Sequence, residues 1–212
     1  MEEFSAKVAH ELRTPLTIFR MKIEAASSHL PVDLSEDFQE EITRLTRLVE
    51  NLLLIAKAES GKLEPQVQTI DMTDLLSDLR EGYELLASEV NIRIAWVTAP
   101  GLYCESDPML LRQILHNLLG NATRHGCRQM KVHAFRHHAK VILTITNRYD
   151  PDHMPNNGMS LGLRVVRSMI SALPGHSLIL RKSKKIFSVR LGFFGGSLIG
   201  RSHSHGLLLQ KY

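Results

Sequence analysis

The chain has 212 residues, 43% of them hydrophobic and 23% charged, with a net charge of +4. That balance excludes wholesale disorder, and the charge is too small to argue for a nucleic-acid partner. Two cysteines without a CxxC spacing exclude a disulfide framework and point to a reducing cytosol; no apolar run approaches the ~20 residues of a membrane span, and the N-terminus carries no signal-peptide pattern.

The first helix is predicted to run to about Leu30, where Pro31 breaks it. Phe4, Val8, Leu12, Leu16, Phe19 and Ile23 recur at steps of three or four and form one apolar stripe. His10 lies off that stripe, beside Glu11, where an imidazole on a wet helix face is available to react. Pro15 has no N–H to give the carbonyl of Glu11, so a bend is expected just after the histidine. A second helix starts near Asp33 or Ser35, either of which can cap it. In it Phe38, Ile42, Leu45, Val49, Leu52 and Ala56 alternate steps of four and three, a coiled-coil seam. Two antiparallel helices cannot bury stripes this long on each other alone, so dimerisation into a four-helix bundle is expected.

Gly61 stops the second helix, and the polar stretch with Pro65 that follows reads as a linker. The division predicted is 1–62 helical hairpin, 63–70 linker, 71–194 second domain and 195–212 frayed tail, the tail carrying glycine, serine and a Ser202-His203-Ser204-His205 run. Within the second domain Met72–Ser88 is helical, with Leu75, Leu76, Leu79, Tyr83 and Leu86 on one face. Asn91–Thr98 alternates as a strand. Asp107-Pro108 opens a helix that continues to His125 and ends at Gly126. Met130–Phe135 and Val141–Thr146 are strands joined by a turn near His137 and His138, Leu161–Ala172 is a helix, and Ser177–Leu180 and Phe187–Phe193 are the last strands. The fold class expected is α+β, with helices on one face of a mostly antiparallel sheet.

Chemistry concentrates in three stretches. In Leu111–Gly126, Leu111, Ile114, Leu115, Leu118 and Ala122 form the buried face, while Asn117, Asn121, Arg124 and His125 share a polar strip. Amide oxygens are hard ligands acceptable to Mg²⁺, and a guanidinium grips phosphate oxygens, so the strip suits a metal-bound triphosphate. In Asn156–Val166 the glycines Gly158 and Gly162 precede or open a helix whose N-terminus favours phosphate.

His10-Glu11-Leu12-Arg13-Thr14-Pro15-Leu16 resembles the phospho-acceptor box of the sensor histidine kinases of two-component signalling, and Leu111–Gly126 resembles the asparagine box of their ATP domain, which belongs with the gyrase, chaperone and mismatch-repair ATPases. The resemblance implies an α/β sandwich of that type after the helical hairpin. It implies His10 as phospho-acceptor, Glu11 as its orienting base, and Thr14 as the residue of the reverse phosphatase reaction. It also implies Asn121 as the Mg²⁺ ligand with Asn117 beside it, Arg124 on phosphate, His125 flanking the nucleotide, and Gly158, Gly162 and Leu163 as the second glycine box, with Ser160 in place of its middle glycine. The position of the family's adenine-binding aspartate falls on Asn147 or, in a shifted register, on Asp150. An asparagine carbonyl can still accept a hydrogen bond, but without charge assistance.

The activity so implied is an ATP-dependent, Mg²⁺-dependent histidine kinase. It would act as a homodimer and pass its phosphoryl group to a response regulator, and it would be the cytoplasmic piece of an inner-membrane sensor whose sensing part lies upstream of Met1. Two rivals remain: a dimeric phosphotransfer or docking scaffold with a degenerate ATP site, and a chaperone- or gyrase-type ATPase, against which the phospho-acceptor stretch argues.

Overall fold

The computed structural model describes residues 15–26, 31–150 and 161–195. His10, Glu11, Thr14, Gly158 and the stretch 196–212 lie outside the described residues. Residues 15–26 are helical (α1) and lead to α2 (Val32–Glu59). α2 begins before the predicted Asp33 or Ser35. Pro31 takes the cap position with φ −53° and ψ 140°, its carbonyl accepting from the Ser35 N–H at 3.0 Å; a ring-fixed φ and a missing N–H cost nothing there. Leu16 of α1 packs on Val49 and Leu53 of α2. One half of the predicted seam, Ile42, Val49 and Ala56, is buried, while Phe38, Leu45 and Leu52 remain 41, 37 and 46% exposed.

Beyond the hairpin come β1 (Gln68–Asp71), α3 (Met72–Glu89), β2 (Arg93–Thr98), β3 (Tyr103–Ser106) and α4 (Pro108–His125). They are followed by β4 (Gln129–His137), β5 (Lys140–Arg148), α5 (Leu161–Ala172), β6 (Ser177–Lys182) and β7 (Ile186–Phe194). The main sheet has the order β2-β4-β5-β7-β6, with β2 and β4 parallel and every other pair antiparallel. β1 and β3 form a separate two-stranded sheet, so part of the predicted linker is a strand. Four residues with a mostly exposed pattern give no alternation long enough to see.

Helices α3, α4 and α5 cover one face of the main sheet. Val132, Ala134, Val141, Leu143, Ile145, Leu191 and Phe193 from the sheet share one core with Leu76, Leu111, Ile114, Leu115, Leu118, Val165, Val166 and Met169. Helix ends are capped from the sequence outward. Asp71 accepts from the Thr73 and Asp74 N–H groups at 2.8 and 3.2 Å and starts α3. Asp107 starts α4, with Pro108 at the first helical position, accepting from Leu110 N–H at 2.9 Å. Ile55 of α2 is buried in the same core as the α/β layers, and Leu54 and Leu63 pack against it. The hairpin and the α/β layers therefore share apolar contacts. Gly195, placed in the predicted tail, is held to the hairpin turn by its N–H donating to Ala139 O at 2.8 Å.

Candidate nucleotide site

α4 carries Asn117, Asn121, Arg124 and His125 outside its buried face, and the tertiary fold adds a wall beside the two amides. Asn117 and Asn121 stand one turn apart, half-buried, on the side of α4 that the first turn of α5 approaches. A methyl group placed on Gly162 would sit 3.0 Å from Asn121 Nδ2 and 3.2 Å from Asn117 Oδ1. Only a glycine lets the α5 backbone come this near the two amides without displacing them. Asn117 Nδ2 donates to Gln113 O at 2.9 Å, which fixes the orientation of that amide. Asn121 Nδ2 is buried and has no hydrogen-bond partner among the described residues. Buried polar atoms are nearly always satisfied, so an orphan here is a demand for a further polar group. An amide in this position offers either face: its nitrogen can donate to a phosphate oxygen, and turned over it gives a hard oxygen to a cation. The donor set thus fits a metal-bound phosphate.

The other site residues lie along the same helix end. Arg124 is exposed and His125 half-buried in the last turn of α4. Burial, and then the neighbouring Arg124 charge, hold the His125 pKa below its ordinary 6.5, so the ring is neutral near pH 7. Asn147, 4% exposed, ends the inward face of β5 opposite Met130 and Phe187. Its amide nitrogen donates to Arg148 O at 3.2 Å, and its Cβ would be 3.5 Å from a methyl on Gly126, the C-cap of α4. From Asn117 to Gly126 is nine helical residues, about 13 Å. The amides stand at one end of this span and Asn147, beside Gly126, at the other. Asp150 lies two residues past the end of β5 and is exposed, whereas Asn147 lies within the strand and is buried. Leu163 packs against the hydrophobic core and is not part of the polar strip.

One contact near the site is invisible in the sequence. The Tyr83 hydroxyl of α3 lies 3.0 Å from Nδ1 and 3.2 Å from the carbonyl oxygen of His116, the residue before Asn117. Burial and then the charges of Arg112 and Arg47 lower the His116 pKa. Arg47 belongs to α2, so the hairpin reaches electrostatically to the helix that carries the two amides.

A two-layer α/β fold with paired amides facing a glycine-opened helix, joined to a helical hairpin, defines the histidine-kinase type of catalytic core. Residues 1–61 match the His Kinase A (phospho-acceptor) domain family. The chain is 28% identical over 200 residues to the sensor histidine kinase CusS of Escherichia coli K12, covering 81% of this chain and 41% of CusS. It is 31% identical over 219 residues to the probable sensor protein PcoS of Escherichia coli, covering 90% of this chain and 46% of PcoS. Among solved structures it resembles the Acinetobacter baumannii histidine kinase AdeS (TM-score 0.68, 19% identity, 89% of this chain and 98% of that one). It also resembles full-length ShkA in complex with AMPPNP (TM-score 0.75, 23% identity, 93% of this chain and 47% of that one). The chain belongs with the sensor histidine kinases of two-component systems, and it spans less than half the length of these curated relatives.

Proposed function

We propose that this chain is the catalytic core of a sensor kinase that phosphorylates its own His10 from Mg-ATP and then hands the phosphoryl group to an aspartate of a response regulator. The observation that carries the reading is the orphaned Asn121 amide set against Gly162, on a chain whose first 61 residues match a phospho-acceptor domain. In this reading ATP lies along α4, with its base end near Asn147 and His125 and its phosphates near Asn117, Asn121, Arg124 and the start of α5. Asn121, with Asn117 beside it, would hold Mg²⁺, which when bound offsets charge on the phosphate oxygens. A neutral ring nitrogen of His10 forms the new bond to the γ-phosphorus as the bond to the ADP oxygen breaks. Glu11 orients the ring and takes the ring proton, and Arg124 offsets charge on the transferred group. Thr14 is assigned to the reverse, phosphatase direction.

The exposed seam residues Phe38, Leu45 and Leu52 support a homodimer closed through the hairpins as a four-helix bundle. The whole protein, of which this chain is a part, is read as anchored in the inner membrane, with this core on its cytoplasmic side. The experiment is incorporation of label from γ-labelled ATP, followed by acid treatment. Wild-type chain is expected to take up an acid-labile label, as a phosphoramidate is, and His10→Gln to take up none. Label surviving in His10→Gln would remove this histidine from the mechanism. A wild-type chain that binds no nucleotide at millimolar Mg-ATP would make it a phosphotransfer scaffold, the reading that the uncharged Asn147 favours.

A further inference from the structure

The net charge of +4 hides a segregation. Through Asp107 ten lysines and arginines stand against twenty aspartates and glutamates, whereas from Pro108 onward sixteen stand against two. The five strands of the main sheet hold no acidic residue at all. Its helix-free face collects the cations. By the strand registers, Arg93, Lys131, Arg148, Arg190 and Arg181 all point to that face, one from each strand, and all are exposed. The ion pairs among the described residues, Arg20–Glu24, Arg44–Glu41, Arg80–Glu84 and Arg112–Asp78, are all between helical residues and neutralise none of these five.

The arrangement is a plane. Five strands at about 4.8 Å spacing spread the charges over about 19 Å across the sheet. Between them lie the hydroxyls of Thr146 and Ser188, 3.1 Å apart, and the ring of His133, whose centroid is 4.7 Å from that of Phe135. Toward the β4–β5 turn the same face becomes apolar, with Phe135 and Ile142 half-buried and Phe194 exposed. The exposed acids of α3, Asp74, Asp78, Glu81 and Glu84, lie in the helical layer on the far side of the sheet. A linear polyanion needs a track, whereas these cations come one from each strand and spread across the sheet. A two-dimensional array of cations with an apolar margin, the α3 acids lying in the layer on the far side, matches a two-dimensional array of anions.

We infer that the helix-free face of the five-stranded sheet, through Arg93, Lys131, Arg148, Arg181 and Arg190, docks on an anionic phospholipid surface. The inference is independent of the kinase reading, since none of these residues lies in the nucleotide strip. The test is co-sedimentation of the 212-residue chain with vesicles of phosphatidylcholine alone or mixed with phosphatidylglycerol. Binding is expected only to the mixed vesicles and is expected to fall as salt rises. Lys131→Gln combined with Arg190→Gln is expected to lower the partition about 25-fold, at about fivefold per charge, whereas Lys131→Arg with Arg190→Lys retains it. Should the first double variant unfold early, Arg93→Gln with Arg181→Gln reads the same surface. Equal binding to both vesicle types, no binding to the mixed ones, or an unchanged partition for the neutralised variants overturns the inference. So does capture of a single-stranded oligonucleotide or an acidic polypeptide in place of vesicles.

Discussion

Gly162 stands so near Asn121 that one added methyl group would meet its amide nitrogen at 3.0 Å. The second glycine element and the asparagine helix are therefore one packed unit. Gly162→Ala tests this directly. Alanine is the better helix former by about 0.5–1 kcal/mol, so the melting temperature is expected to hold or rise slightly. The amides must nevertheless shift, and Mg-ATP affinity measured by calorimetry is expected to fall about tenfold or more, which is about 1.4 kcal/mol. Unchanged affinity would mean that the amides are not where nucleotide binds.

A second expectation concerns the seam. Phe38, Leu45 and Leu52 repeat every seven residues along α2 and stay exposed, while Ile42, Val49 and Ala56 between them are buried. Full burial of an exposed leucine is worth about 1.5–3 kcal/mol; Leu45 and Leu52 are already more than half-buried, so a two-fold interface gains roughly half of that from each, twice over. Leu45→Glu with Leu52→Glu is expected to convert a dimer to a monomer in sedimentation analysis, with helical circular dichroism little changed. A persisting dimer would place the interface elsewhere.

Asp107 makes two bonds with two consequences. One carboxylate oxygen caps α4 through Leu110 N–H at 2.9 Å, and the other accepts from Gln66 N–H at 2.7 Å. Asp107→Ala removes both and leaves Gln66 without its acceptor, so about 2 kcal/mol of stability is expected to be lost in denaturant unfolding. Asp107→Asn keeps one acceptor oxygen and is expected to fall between alanine and wild type.

These examples show what can be read from residues alone. The helix Met72–Glu89 announces itself through its period and Pro108–His125 through period and cap, since Asp107 and Pro108 act on their own neighbours in the chain. The strip of Asn117 and Asn121 is legible for the same reason, being set by helical spacing. The approach of Gly162 to it is not, because forty residues and two strands intervene. β1 and β3 are hidden by their brevity and by a pairing that joins residues far apart in the chain. The basic face of the main sheet escapes notice because it exists only once the strand register decides which cations share a side, and because the acidic first half cancels it in the total.

The fourth expectation is a pH dependence. His176 Nδ1 lies 2.8 Å from the carbonyl of Pro174, so it carries the proton, and Nε2 accepts from the fully buried Ser106 hydroxyl at 3.0 Å. Burial lowers the pKa of His176 from 6.5, against a smaller upward pull from the Pro174 carbonyl. For a base depressed in the fold, the unfolded chain takes up a proton first. Stability is therefore at its plateau above about pH 6.5 and declines as pH falls toward the folded value, by at most about 1.4 kcal/mol per pH unit for one such ring. His116 and His125 are depressed by burial too and act in the same direction, though their greater contact with water weakens the effect. Melting temperatures across this range should show the decline, and a flat profile would contradict it. Ser106→Ala, which strands Nε2, is expected to cost about 1–3 kcal/mol at neutral pH.

The grip of Asp107 on Gln66 also sets the length of rope between the two bodies. α2 ends at Glu59, with Ser60 as its C-cap; the Lys62 and Leu63 N–H groups are tied back to Lys57 O and Gln66 is moored to the start of α4, so Glu64 and Pro65 alone lie between the two anchors. From Leu63 to Gln66 is three residue steps, about 10 Å at most. On so short a connection the α/β layers stay against the helical hairpin, whose Ile55 already lies in their core.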